Sequence, residues 1–145
     1  MEIKVDKSEL DAFSVKLGVK TSKFPREIQE AIKKSSQSVE RQAKSNLTSN
    51  GSVKTGHLRR SITHTASQYE GKIYTNVKYA KGVEEGTRPH VIRPKKKKAL
   101  YWAGASHPVK VVNHPGSKGK PYMKPALEAE KPKFINNLKE AIKLD

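Results

Sequence analysis

Apolar positions recur with a helical period toward both ends of the chain and with a two-residue period between them. Leu10, Phe13 and Leu17 fall on one helical face behind a capping box of Ser8 and Asp11, which predicts a short helix over about 8 to 17, ended by Gly18. Pro25 suits the first turn of a second helix, in which Ile28, Ile32, Val39, Ala43 and Leu47 repeat along one side. From Arg26 to Leu47 that helix would measure about 33 Å. Its apolar stripe is narrow, so one side packs and the rest meets water or a neighbour.

The turn formers of "TSNGSVKTG", residues 48 to 56, break the long helix, and Thr55 is placed to cap a single turn through "GHLRRSI". Beyond it "SITHTASQ" and "KIYTNVKY" flank Tyr69, Glu70 and Gly71. The second run puts Ile73, Thr75, Val77 and Tyr79 on one face, so the pair reads as a β-hairpin. "YAKGVEEGT" has the content of a short helix that Gly86 terminates, and Pro89 and Pro94 bracket an extended "HVIR". Leu100 to Trp102 and Val109 to His114 are further strand candidates, separated by "AGASHP" and followed by the loop "HPGSKGKP". Pro125 opens a last helix in which Leu127, Phe134, Leu138, Ala141 and Ile142 keep helical spacing. Pro132 predicts a kink or a fresh start within it, because proline removes a backbone donor and clashes with the preceding turn. The expected fold is α+β: a mostly antiparallel β-sheet packed against a long N-terminal-half helix and a C-terminal helix. No repeat or composition break divides the chain, so residues 1–145 are expected to form a single domain.

Composition makes that domain's core lean, since only 34% of the 145 residues are hydrophobic. The formal net charge of +16 implies partners that are polyanions or acidic protein surfaces. Its placement is uneven: residues 53 to 125 carry 16 basic and 3 acidic side chains, so +13 of the +16 lies there. From Gly86 to Leu127 there are ten Lys or Arg and no carboxylate, which leaves that stretch without local salt-bridge partners. Its counter-charge has to come from solvent ions, a distant face or another molecule. The first residues show no secretion-signal pattern, and no window has the apolar run of a membrane span, so an intracellular, soluble product is expected.

Catalytic chemistry finds little support. Cysteine is absent, which removes disulfides, thiolate metal sites and a cysteine nucleophile. His57, His64, His90, His107 and His114 lack the i, i+4 pairing of a zinc protease, and three of them lie in the acid-free stretch. His107-Pro108 and His114-Pro115 read instead as turn dipeptides whose imidazoles bond to backbone. Glu84 and Glu85 are the only adjacent acids and have no third partner nearby in sequence, so a surface helix with one inward-turned Glu suits them better than a metal-dependent nuclease centre. Ser35, Ser36 and Ser38 sit in a helix without a suitable base, and "GSKGK" lacks the spacing of a phosphate-cradling loop. No cofactor, metal or enzymatic activity is expected.

The run Lys95, Lys96, Lys97, Lys98, behind Arg93 and Pro94, has two readings. As a nucleic-acid contact it would act through counterion release, giving affinity without base readout. As a solvated loop tip, its lysines repel one another into an extended hairpin. Tyr101 and Trp102 could stack on exposed bases or enter the core on a strand.

Four motifs in order are similar to the small neck, or head-to-tail joining and tail-completion, proteins of long-tailed bacteriophages. The first, "TGHLRRSI", carries Gly56, Leu58, Arg59 and Ser61. In "YAKGVEEGTRPHVIRPKKKKAL" the matching positions are Tyr79, Ala80, Glu84, Gly86 and Thr87, then His90 and Pro94. The last, "VNHPGSKGKPYMKPALE", supplies His114, Pro115, Gly116, Pro121, Met123 and Pro125. The likeness spans most of residues 24 to 145. Departures are Glu85 where an aromatic is common, Tyr122 for the usual Phe, and the four lysines that fill the loop.

The resemblance implies a non-enzymatic virion component made in the bacterial cytoplasm. Its copies would form a ring, of hexamer or dodecamer size, in the neck between head and tail. Its partners would be head-closure or connector and tail-terminator proteins, with double-stranded DNA passing through the lumen and no membrane contact. The loops at 48 to 56, 93 to 99 and 114 to 121 are then the expected contacts, with Arg93, Lys95, Lys96, Lys97, Lys98, Lys118 and Lys120 facing protein or DNA. A lumen that gripped phosphate strongly would slow DNA transit, which favours protein contact or an outer position. A sequence-nonspecific nucleic-acid-binding module using the same basic loop is the alternative from another class.

Overall fold

A helix needs one continuous face that others can cover, and α1 (Phe24–Ser49) supplies it: Ile28, Ile32, Val39, Ala43 and Leu47 are all fully buried. Between Ile32 and Val39 the stripe is continued by Ser35 and Ser36, which are buried too. At Ser36 the small side chain has a steric reason. A Cβ on Gly71 would lie 2.2 Å from the Ser36 Oγ, so helix and strand meet here too closely for anything larger. The helix ends through Gly51, whose positive φ of 68° lets the Ser52 N–H return to the Leu47 carbonyl.

The computed structural model describes residues 2–4, 24–95 and 97–142, so the helix expected over 8 to 17 lies outside the described residues, as does Lys96. After β1 (Glu2–Lys4) and α1 come α2 (His57–Ser61), β2 (Thr63–Ala66), β3 (Glu70–Tyr74), α3 (Ala80–Glu85), β4 (Gly86–Thr87), β5 (His90–Ile92), β6 (Val112–His114), β7 (Ser117–Lys118) and α4 (Met123–Ile142). The architecture is the expected α+β arrangement, and every strand pair is antiparallel. The strands are divided among a three-stranded sheet ordered β1-β3-β2 and two ribbons, β4-β7 and β5-β6.

The predicted hairpin forms with Thr63 opposite Tyr74 and Ala66 opposite Gly71, but its turn lies over 67–69 and not over 69–71, and its second strand ends at Tyr74, short of the expected Thr75, Val77 and Tyr79. This register turns Gly71 and Ile73 toward α1 and leaves Lys72 and Tyr74 exposed. Glu40 of α1 accepts from His64 of β2 and from Lys44, which ties the sheet to the helix. Burial alone would raise the Glu40 carboxyl, but these hydrogen bonds and the neighbouring positive charges hold it below its ordinary value.

The most extensive contact between elements is α1 on α4. The pair is antiparallel. Val39, Ala43 and Leu47 share a cluster with Tyr122, Met123 and Ala126, while Ile28, Ala31 and Ile32 pack with Phe134 at the other end. Each fully buried Ile or Leu contributes roughly 1.5–3 kcal/mol, so these two clusters hold most of what stabilises the fold. Between them Ser38 donates to the buried Glu130 carboxylate at 2.6 Å. Pro132 does not start a new helix, and α4 runs through it. The Glu128 carbonyl that would pair with a residue 132 N–H belongs to an exposed residue, where water can satisfy it.

Two strand expectations are corrected. Leu100 to Trp102 forms no strand, only a bridge between Leu100 and Val109, and the second candidate shortens to Val112–His114. The physical reason is burial: Tyr101 and Trp102 are 69% and 49% exposed, so their apolar sequence pattern has no core to face.

Candidate assembly interface

Between Ala80 and Tyr122 no described residue is fully buried. The chain leaves the body here as an arm, residues 88–116, whose strands β5 and β6 pack chiefly on each other. His90 stacks on His114 with ring centroids 5.0 Å apart at the base of this ribbon. His90 Nδ1 lies 2.8 Å from the Arg88 carbonyl, and His114 Nδ1 accepts the Gly116 N–H at 3.0 Å, so both imidazoles serve the arm's backbone. Arg93, Lys95, Lys97 and Lys98 are exposed toward its tip, with Pro94 among them partly covered. Val91, Val111, Tyr101 and Trp102 are exposed on the same arm.

The arm's root is a backbone clamp. A Cβ on Gly86 would fall 2.4 Å from the Ser117 carbonyl oxygen, one on Gly116 2.4 Å from that of Thr87, and one on Gly119 2.6 Å from the Glu85 carbonyl carbon. Gly86 also has φ 84° and ψ −178°, a region essentially reserved for glycine. Thr87 and Ser117 hydroxyls meet at 3.0 Å across this ribbon. Pro115 sits exposed beside the clamp.

Glu84 is turned inward and starts α4. Its Oε2 accepts the N–H groups of Tyr122 and Met123 at 2.8 and 2.9 Å, and its Oε1 accepts that of Lys124 at 2.9 Å. The next residue, Pro125, has no N–H. The free donors at the helix start are therefore met by one carboxylate, which also sits favourably at the positive end of the helix. The sequence carried a signal for this: neither Pro121 nor Tyr122 is a capping residue, so a helix starting at Met123 needs an acceptor from elsewhere. Tyr122 is buried against the core, and burial together with the Glu84 charge pushes its hydroxyl up to about 12.

The first motif is structural as well. Gly56, at φ 73°, precedes α2, and the Thr55 hydroxyl takes the His57 N–H at 3.4 Å. Leu58 enters the core, and the Ser61 hydroxyl donates to the Leu58 carbonyl at 2.8 Å and lies 2.6 Å from that of Thr75. Ala80 is buried beneath α3.

Arg59, Tyr79, Lys118 and Lys120 come together elsewhere, on a cleft of about 530 Å³ that the sequence reading did not isolate. Lys120, one of the cations expected to face protein or DNA, donates through its Nζ to the Asn50 carbonyl at 3.0 Å, and its backbone N–H donates to the Val83 carbonyl. The Tyr79 hydroxyl lies 3.4 Å from His57 Nδ1 on the same wall.

Among the described residues, no group of three His, Cys, Asp or Glu side chains is arranged to hold a metal ion, and no helix is long and apolar enough to cross a membrane. The described surface carries exposed cations and exposed apolar side chains. The family model described as "Bacteriophage HK97-gp10, putative tail-component" matches residues 10–86, just over half of the chain. The chain belongs to this family of phage tail components, a structural family and not one of enzymes, and as a virion component it associates with other virion proteins. The match takes in the first motif and the second as far as Gly86, two residues before the arm begins. No curated protein and no solved structure matches the chain.

Proposed function

We propose that the protein is a neck component of a tailed phage or prophage, a single domain whose copies form a ring where the DNA-filled head joins the tail. The ring would contact head-closure or connector and tail-terminator proteins and let double-stranded DNA pass. The observation that carries this reading is the arm. A two-stranded ribbon with little support from the body is marginal by itself, and this one exposes Tyr101, Trp102, Val91 and Val111 beside cations that have no acidic residue near them in sequence. Aromatic side chains and arginine dominate protein interfaces. An acidic rim on a neighbouring ring would satisfy the arm's charge, and a pocket there would cover its aromatics.

Particles assembled without the protein test the reading: electron microscopy is expected to show filled heads beside separate tails, and normally joined, infectious particles would overturn it. One observation favours the nucleic-acid module as a second reading, since Tyr101 and Trp102 stand exposed next to the lysine run, as base-stacking residues would. That reading requires duplex or single-stranded DNA affinity to fall steeply with salt, with a smaller slope after Lys95, Lys96, Lys97 and Lys98 are changed to Gln.

A further inference from the structure

The cleft beside α2 lies on the body and not on the arm. Its wall is built by the 51–59 segment, α3 and the β7 loop, with Val53 and Val83 supplying apolar surface over the buried Leu47 and Leu58. Lys54, Arg59 and Lys118 are exposed around it, and none of its lining residues is a carboxylate. At about 530 Å³ it falls within the usual size of a ligand pocket, roughly 300–1,000 Å³, which combines an apolar lining with a few placed polar groups.

We propose that this cleft is a docking site for an acidic peptide segment of a neighbouring virion protein, one whose aliphatic or aromatic side chain seats on Val53 and Val83 while its carboxylates pair with Arg59, Lys54 and Lys118. Charge complementarity decides the class. A concave site with cations and no acid excludes a basic partner, and guanidinium binds carboxylate through two parallel hydrogen bonds. Duplex DNA does not suit the geometry, because a rigid duplex reaches only the rim lysines and leaves the apolar floor uncovered. The site is held in shape from several directions: Gly51 and Gly56 adopt positive φ, and Lys120 fastens the β7 loop to Asn50 at the end of α1. Pre-organisation of this kind lowers the cost of binding a flexible segment.

The inference rests on the assembly reading for the nature of its partner, and its test is separate. The full chain, labelled with nitrogen-15, would be titrated with an octapeptide alternating Glu and Leu and with its Gln-for-Glu counterpart, followed by amide NMR. The Glu peptide is expected to shift amides of residues 51–59, 82–83 and 117–119 saturably, and the Gln peptide to leave them in place. Charge reversal at two exposed positions, Arg59→Glu with Lys118→Glu, is expected to weaken binding at least tenfold without altering circular dichroism. Replacing the lysines of the arm by Gln is expected to leave it unchanged. Shifts confined to the arm, an equal response to the Gln peptide, or a duplex oligonucleotide that moves the same amides through Arg59 and Lys118 would each overturn the proposal. Such a failure would leave the role of the arm in joining heads to tails untouched, since that is read from particles.

Discussion

The Glu84 carboxylate accepts the backbone N–H of Tyr122 at 2.8 Å across 38 positions of sequence, so the end of one short helix caps the start of the C-terminal helix. This bond joins what the sequence presents as two separate motifs. Between them the chain makes its excursion into the arm, and the glycine contacts of β4 and β7 close the root of that excursion immediately beside Glu84. The arm is thus anchored rigidly at its base to α4 and, through α4, to α1, while its tip remains available.

Replacing Glu84 by Ala leaves three N–H groups at the start of α4 without their acceptor. Hydrogen bonds to a charged group are worth about 1.5–3 kcal/mol each at most, and water can reach part of this site. A net loss of about 2–3 kcal/mol is expected in denaturant unfolding, with Glu84→Gln losing less because one acceptor oxygen is retained. A loss under about 0.5 kcal/mol for the Ala variant would show that the cap is not what fixes α4.

The raised Tyr122 hydroxyl gives a pH dependence with a definite sign. Its ordinary value is 10.0 and the folded value is about 12. The folded state therefore holds this proton more tightly than the unfolded chain, and the associated stability is complete below pH 10 and lost as the pH rises toward 12. Absorbance titration of the five tyrosines is expected to show one late component, which Tyr122→Phe removes. Titration of all five together near pH 10 would refute the burial argument.

Tyr101 and Trp102 contribute little to the fold because water already covers much of them. Changing both to Ala is expected to leave the unfolding free energy within about 0.5 kcal/mol of the original. Particle joining, by contrast, should fail if each is an interface anchor worth about 2 kcal/mol. Thermal unfolding and a complementation assay separate the two effects, and a variant that joins heads to tails normally would remove the aromatics from the interface.

Helical periodicity located α1 to within two residues at each end, because Ile28, Ile32, Val39, Ala43 and Leu47 form one stripe that any covering element must use. The β2-β3 hairpin and the short α3 were legible for the same local reason. Ser35 and Ser36 were not recognisable as core from their polar side chains, and at Ser36 it is the close approach of Gly71 that calls for a small one. Nor could the pattern distinguish Leu100 to Trp102 from a buried strand, because alternation states which residues could be covered and not whether anything arrives to cover them.

The candidate site divides along the same line. The acid-free basic stretch and the inward Glu of the "YAKGVEEGT" helix could be read from charge and composition, whereas the partners of Glu84, the engagement of Lys120 by Asn50 and the cleft beside Arg59 could not. By itself the amino-acid sequence determined the long helix, the short α3 and the C-terminal helix, the existence of the hairpin, the family likeness and where the charge lies, since these follow from neighbours within a few residues. The tertiary structure alone decided which side chains meet, because hydrogen bonds and van der Waals contacts act over a few ångströms in space, however many residues separate their partners along the chain.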